Sequence, residues 1–231
     1  MQTLPITWTF PEAVLWGARS AHFDGAVEGI LEVLRARRVE VGSCGQVEVA
    51  DAAESPLPDA TASVWFTDPP YYDSVPYADL SDFFFVWLKR SLPGPTVLRD
   101  PFDATNPLMP NAREAVRDMQ NHQAGRAKKP TEWYEQAIHL AFKEGRRVLS
   151  ESGVGGVIFA HKTTAGWEAL LSGMIRAGWT ITGSWPIATE SRTRLRARDS
   201  AALATSVHFV CRPRSGDATI GDWAEVIAPP S

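Results

Sequence analysis

Apolar residues recur every three or four positions in several stretches of this chain, and each such stretch predicts a helix. In GAVEGILEVLRARR (25–38) they fall at Val27, Ile30, Leu31 and Leu34, and the arginine-rich end suits a helix C-terminus. From Tyr77 to Leu92 the apolar positions are Leu80, Phe83, Phe84, Trp87 and Leu88. TEWYEQAIHLAFKEGRRVL (131–149) is strongly amphipathic, with Thr131 a candidate N-cap and Arg146 and Arg147 at its end. TTAGWEALLSGMIRAG predicts a further helix. Strand patterns lie between them. QVEVADA (46–52) alternates and meets an acid, and SVWFT follows the turn chemistry of SPLPDATA. GVGGVIFAHK, WTITGSWPIAT and ALATSVHFVCRP are apolar runs of strand length, and the glycines of SGVGG (152–156) are expected to cap a helix and turn the chain.

The order strand, strand, helix, loop, helix, strand, helix, strand, strand predicts an α/β fold around a mostly parallel sheet, its last strand antiparallel beside its predecessor. The domain is expected over 25–214, after an irregular lead-in at 1–24 and before a tail at 215–231. Residues 93–130, rich in Pro, Asn and Asp, form a long loop of the kind that is functional or disordered. The aromatics Phe83, Phe84, Phe85 and Trp87 are expected to pack in the core.

Composition narrows the partners. The formal net charge of the 231 residues is −4, so any nucleic-acid contact must come from local patches. Cys44 and Cys211 are far apart and form no C-x-x-C pair, which argues against a zinc ribbon in this chain and against a secreted disulfide scaffold. His22, His122, His139 and His208 show no metal spacing, and no metal is expected. The first residues lack the basic start and apolar core of a signal peptide, and no apolar run approaches the ~20 residues that span a bilayer. A cytoplasmic location away from membranes is expected.

The chemistry concentrates where SVWFT runs into Asp68, Pro69, Pro70, Tyr71 and Tyr72. Two prolines cannot donate to a sheet ladder, so the strand stops there. In an open α/β sheet, ligands collect at the carboxyl ends of the strands. An aspartate carboxylate and the Pro69 carbonyl can accept both N–H bonds of a planar exocyclic amine on a nucleobase, which favours a more tetrahedral, more nucleophilic nitrogen. Pro70 fixes the turn, and the Tyr71 ring offers a stacking face worth about 1–3 kcal/mol per base. Proximity to an electrophilic methyl group would supply much of the remaining acceleration. The plainer reading is a strand-terminating turn with a packed tyrosine.

TDPPYYDSVPYADLSDFFFVWLKR resembles the amino-methyltransferase signature of predicted adenine-specific DNA methylases that carry a DUF1156 domain. The resemblance continues through RRVLSESGVGGVIFAHKTTAGWEALLSGMIRAGWTITGSWPIATESRTRLRARDSAALATSVHFVCRPR and through LPITWTFPEA, and covers most of residues 4–214. It implies a Rossmann-like, S-adenosylmethionine-dependent methyltransferase sheet and methyl transfer to adenine N6 or cytosine N4. It implies a target-base pocket of Asp68, Pro69, Pro70 and Tyr71, and places Asp51 where the cofactor's adenine is often contacted. The family's glycine-rich cofactor turn, between the first strand and its helix, has no counterpart. GSCGQ (42–46) leads into a strand, and SGVGG follows a helix. The chain therefore resembles the C-terminal half, without the first strands: a truncated protein, one half of a split protein whose separate N-terminal subunit binds the cofactor, or the product of a decayed gene.

Other candidates complete the expectation. Tyr72 follows the turn, and His161 with Lys162 ends the GVIFA strand on the same edge if the sheet is parallel; both are substrate-binding candidates. Arg192, Arg194, Arg196 and Arg198 alternate through SRTRLRAR and are candidates for backbone phosphates of DNA. Lys128 and Lys129 lie in the long loop, which is a candidate to close over substrate. C5-cytosine methylation is disfavoured, since neither cysteine follows a proline. Adenine in DNA is the favoured substrate. A non-catalytic DNA-binding or partner-docking half, and an RNA base amino-methyltransferase, are the alternatives.

Overall fold

The computed structural model describes residues 23–37, 45–72, 76–92, 100–118, 128–187 and 206–216. The chain divides into two units, Met1–Val49 and Ala50–Ser231. In the first, helix α1 (Phe23–Arg37) forms where the apolar period predicts it, with Asp24 in its first turn and a surface ion pair of 2.7 Å between Arg35 and Glu28. The alternating segment at 46–50 is not a strand. Val47 and Val49 are both exposed, and alternation makes a strand only where one face is buried against a partner.

The second unit runs β1 (Ala62–Thr67), α2 (Tyr77–Ser91), a single 3₁₀ turn (Asn111–Arg113), α3 (Thr131–Val148), β2 (Leu149–Phe159), α4 (Thr164–Arg176), β3 (Trp179–Ile187) and β4 (Ser206–Pro213). The sheet order is β1-β2-β4-β3. β1 pairs parallel with β2, and β4 lies antiparallel between β2 and β3. The last strand therefore sits beside its predecessor as expected, but it also inserts against β2. The result is a mixed sheet in place of a mostly parallel one.

β2 begins directly after α3, so the SGVGG glycines lie inside the strand and do not turn the chain. Gly155 has a steric reason to be there: a Cβ would run into the ring of Trp179. That ring stacks on Trp65 at 5.2 Å and donates from Nε1 to the Phe142 carbonyl at 2.9 Å. The core lies on this side of the sheet. α3 buries Tyr134, Ile138 and Phe142 along one stripe, α4 buries Ala169, Leu170 and Met174, and β2 alternates inward through Val157 and Phe159. On β1 the opposite face carries Val64 and Phe66, each 64% exposed on an edge strand.

α2 departs from the core-packing expectation. Phe85 is buried, but Phe83, Phe84 and Trp87 are at least 60% exposed. The helix is held by the segment 100–118 instead. Met109 N–H donates to Asp82 at 2.8 Å, Ala78 N–H donates to Glu114 Oε1 at 3.0 Å, and Lys89 donates to the Pro107 carbonyl. This part of the long loop is built, around the buried Asp100, which accepts from Phe102 N–H and Asn106 Nδ2, each at 2.8 Å.

Candidate functional site

β1 ends at Thr67, opposite Val157 of β2, so the segment Asp68–Tyr72 leaves the sheet at the same edge as the end of β2. His161 lies two residues past that end. The parallel pairing thus joins the two places that the sequence pointed to.

Three hydrogen bonds and two ring contacts fix the turn from the protein side. Tyr134, fully buried on the first turn of α3, donates its hydroxyl to the Pro70 carbonyl at 2.9 Å. Tyr72 is buried, its ring edge-on to Tyr134 at 5.2 Å and to His161 at 5.7 Å. Its hydroxyl meets the Thr131 hydroxyl at 2.8 Å, and its carbonyl accepts from Arg117 N–H at 2.8 Å. Thr131 therefore does not cap α3, whose N-cap is Pro130 with no side-chain hydrogen bond. Tyr72 is a support of the turn, and Tyr71 is half-buried with its ring edge-on to Phe159 at 5.3 Å.

Two acceptors at the turn stay uncommitted. Among the described residues the Asp68 carboxylate and the Pro69 carbonyl accept no hydrogen bond. For Pro69 this is unusual, because the residue is buried and buried carbonyls are nearly always paired. Partial burial raises the Asp68 carboxyl above the ordinary aspartate range, and the charge of His208 opposes that rise. Burial, then the negative charges of Asp68 and Glu114, raise the phenol of Tyr77 at the start of α2. Glu114 is itself raised, chiefly by burial. The turn is thus ringed by groups from α2, from the loop and from β4.

His161 is buried, and its Nδ1 accepts the Thr163 backbone N–H at 3.1 Å. The Thr163 hydroxyl, at 3.0 Å, and the Thr163 carbonyl, at 3.3 Å, also lie against Nδ1. Thr163 caps α4 by accepting from Gly166 N–H. Residue 166 must be glycine for the ring to lie this close, since a Cβ would overlap the imidazole.

The remaining candidates lie elsewhere. Asp51 does not close a strand. It opens a tight turn, accepting Ala53 N–H at 2.9 Å, and its other oxygen pairs with Arg113 at 2.9 Å. Lys128 is exposed, whereas Lys129 is buried and donates to the carbonyls of Asn111 and Glu114. Arg192, Arg194, Arg196 and Arg198 lie outside the described residues. The strand ends that flank them, Ile187 and Ser206, are directly paired.

Tyr134, Thr131 and Glu114 escaped the sequence reading as site residues. One signal was present: a tyrosine inside the apolar stripe of α3 needs a partner for its hydroxyl when buried. Among the described residues no cluster of three or more His, Cys, Asp or Glu could hold a metal ion, and no helix is long and apolar enough to cross a membrane. The arrangement offers two hydrogen-bond acceptors on a rigid, proline-locked turn at the carboxyl edge of a sheet. Compared with known proteins, the chain matches no family model and no curated protein.

Proposed function

We propose that this chain is the base-binding half of an S-adenosylmethionine-dependent DNA amino-methyltransferase, with adenine N6 as the favoured target and a Rossmann-like sheet that lacks its first strands. The observation that carries the reading is the pair of uncommitted acceptors, Asp68 carboxylate and Pro69 carbonyl, on a turn fixed from behind by Tyr134. A planar amine brings two N–H donors to such a pair. Accepting both draws the nitrogen lone pair out of conjugation with the ring and orients it away from the turn. Two prolines keep the acceptors in place without relaxation during reaction, the condition under which electrostatic preorganisation is most effective.

The described residues do not fit the cofactor. No glycine-rich turn joins a strand to a helix among them, and Asp51 is engaged by Arg113. In this reading S-adenosylmethionine is held outside the described residues, and the part of Asp68 and Pro69 is to hold and orient the amine. A second reading, a non-catalytic docking half, is favoured by the exposed apolar residues of the edge strand β1.

The test is labelled methyl transfer from S-adenosylmethionine to unmethylated DNA, by the chain combined with an extract of its native cells. Asp68→Ala should lower N6-methyladenine formation by about 100-fold or more, the scale of losing one preorganised hydrogen-bonding group at the reacting centre. Methylation that Asp68→Ala leaves unchanged removes Asp68 from the mechanism and favours the docking half.

A further inference from the structure

We infer that Tyr134 is a positioning residue of the base-binding turn: its hydroxyl selects which proline carbonyl faces the protein and so leaves the Pro69 carbonyl to the ligand. This rests on the base-binding reading of Asp68 and Pro69. Pro69 precedes a proline and is held to extended or polyproline backbone, and Pro70 has its own φ fixed. In that conformation successive carbonyls rotate by about 120°, three residues to a turn. Anchoring the Pro70 carbonyl on one side therefore determines the direction of the Pro69 carbonyl on another. Neither proline carries an N–H, so these two positions offer only acceptors.

Tyr134 packs in the core stripe of α3 and turns its hydroxyl to that task. Its ring is fully buried, and its hydroxyl donates to the Pro70 carbonyl at 2.9 Å. Its neighbour one turn back, Thr131, holds the hydroxyl of Tyr72 at 2.8 Å. The first turn of α3 thus presents two hydroxyls to the segment Pro70–Tyr72. Thr131 does so while α3 has no side-chain cap at its N-terminus. The Thr131 hydroxyl, which could have served the helix start, is given to the turn.

The experiment is ligand-observed NMR on the full chain with adenosine and N6,N6-dimethyladenosine, which lacks the N–H donors. Amide exchange at Tyr71 and Tyr72 is followed in the same samples. Wild type should prefer adenosine. Tyr134→Phe, which removes only the hydroxyl, should reduce that preference roughly tenfold and speed exchange at both amides, the scale of one buried hydrogen bond lost. Thr131→Val should act in the same direction, more weakly, and serves if Tyr134→Phe does not fold. Ile138→Val, a core change on the same helix, should leave the preference unchanged. A Tyr134→Phe protein that keeps the preference overturns the positioning role while the base-binding reading stands. A wild type without any preference overturns the base-binding reading and the positioning role with it, even where exchange is faster in the variant.

Discussion

Glu114 reaches from the loop to the start of α2 and accepts Ala78 N–H at 3.0 Å, while its other oxygen, Oε2, is buried without a hydrogen bond. α2 has Pro76 at its N-cap and no side-chain cap, so this carboxylate takes the place of one. Replacing it by alanine removes a cap, worth about 0.5–2 kcal/mol, and a charge at the positive end of the helix, worth about 0.3–1 kcal/mol. Part of that loss is offset because a poorly paired buried oxygen is removed as well. A net destabilisation of about 1 kcal/mol at neutral pH is expected for Glu114→Ala. Glu114→Gln keeps the accepting oxygen and removes the charge. Burial raises the folded carboxyl above its ordinary range, against the smaller opposing effects of the Ala78 amide and of Lys129. Its contribution to stability is then fully present below the unfolded glutamate value and is lost as pH rises through the folded one. Wild type and Glu114→Gln should therefore be alike in acid, and the glutamine variant should gain on wild type as pH approaches neutrality. Urea unfolding at pH steps from 4 to 8 reads the difference. A wild type that gains on Glu114→Gln as pH rises over that window refutes the reasoning.

The other predictions concern the buried end of the sheet. Burial pushes the Cys211 thiol up to about 12, so its alkylation at pH 8 should be slow in the folded protein and should follow unfolding in urea, measured on the Cys211 peptide by mass spectrometry. Fast alkylation without denaturant contradicts the placement of β4 in the centre of the sheet. Gly166→Ala should cost about 1–3 kcal/mol by overpacking against the ring atoms of His161, outweighing alanine's helix preference of about 1 kcal/mol. An unchanged urea midpoint means that the ring moves aside freely.

The periodic helices were legible because each packs or exposes one stripe, and α3 and α4 fall where the apolar spacing puts them. One strand reading and one turn reading failed, for opposite reasons. At 46–52 the alternation is present but no face is buried; at 152–156 glycines suggested a turn, whereas they make room for large rings lying across β2. The Asp68–Tyr72 turn was legible because proline chemistry is local. Its supports were not. Tyr134 comes from 64 positions beyond Pro70, and Glu114 from 36 beyond Ala78, and no local pattern encodes contacts of that span. The insertion of β4 between β2 and β3 is illegible for the same reason: it depends on which edges are open once α3 and α4 have covered one face.

That insertion has a consequence for synthesis. Among the described residues β4 is the last strand made and the one that joins β3 to β2. A ribosome elongating at about 5–20 residues per second leaves β2 without one of its two partners for several seconds after it emerges. Through that interval the backbone edge of β2 is open to other chains, and β3 lacks the partner that it has among the described strands. β4 then adds Phe209 and Cys211 to the core. A ribosome stalled before Ser206 therefore releases a product that lacks the strand joining β3 to β2, with the edge of β2 left open to other chains.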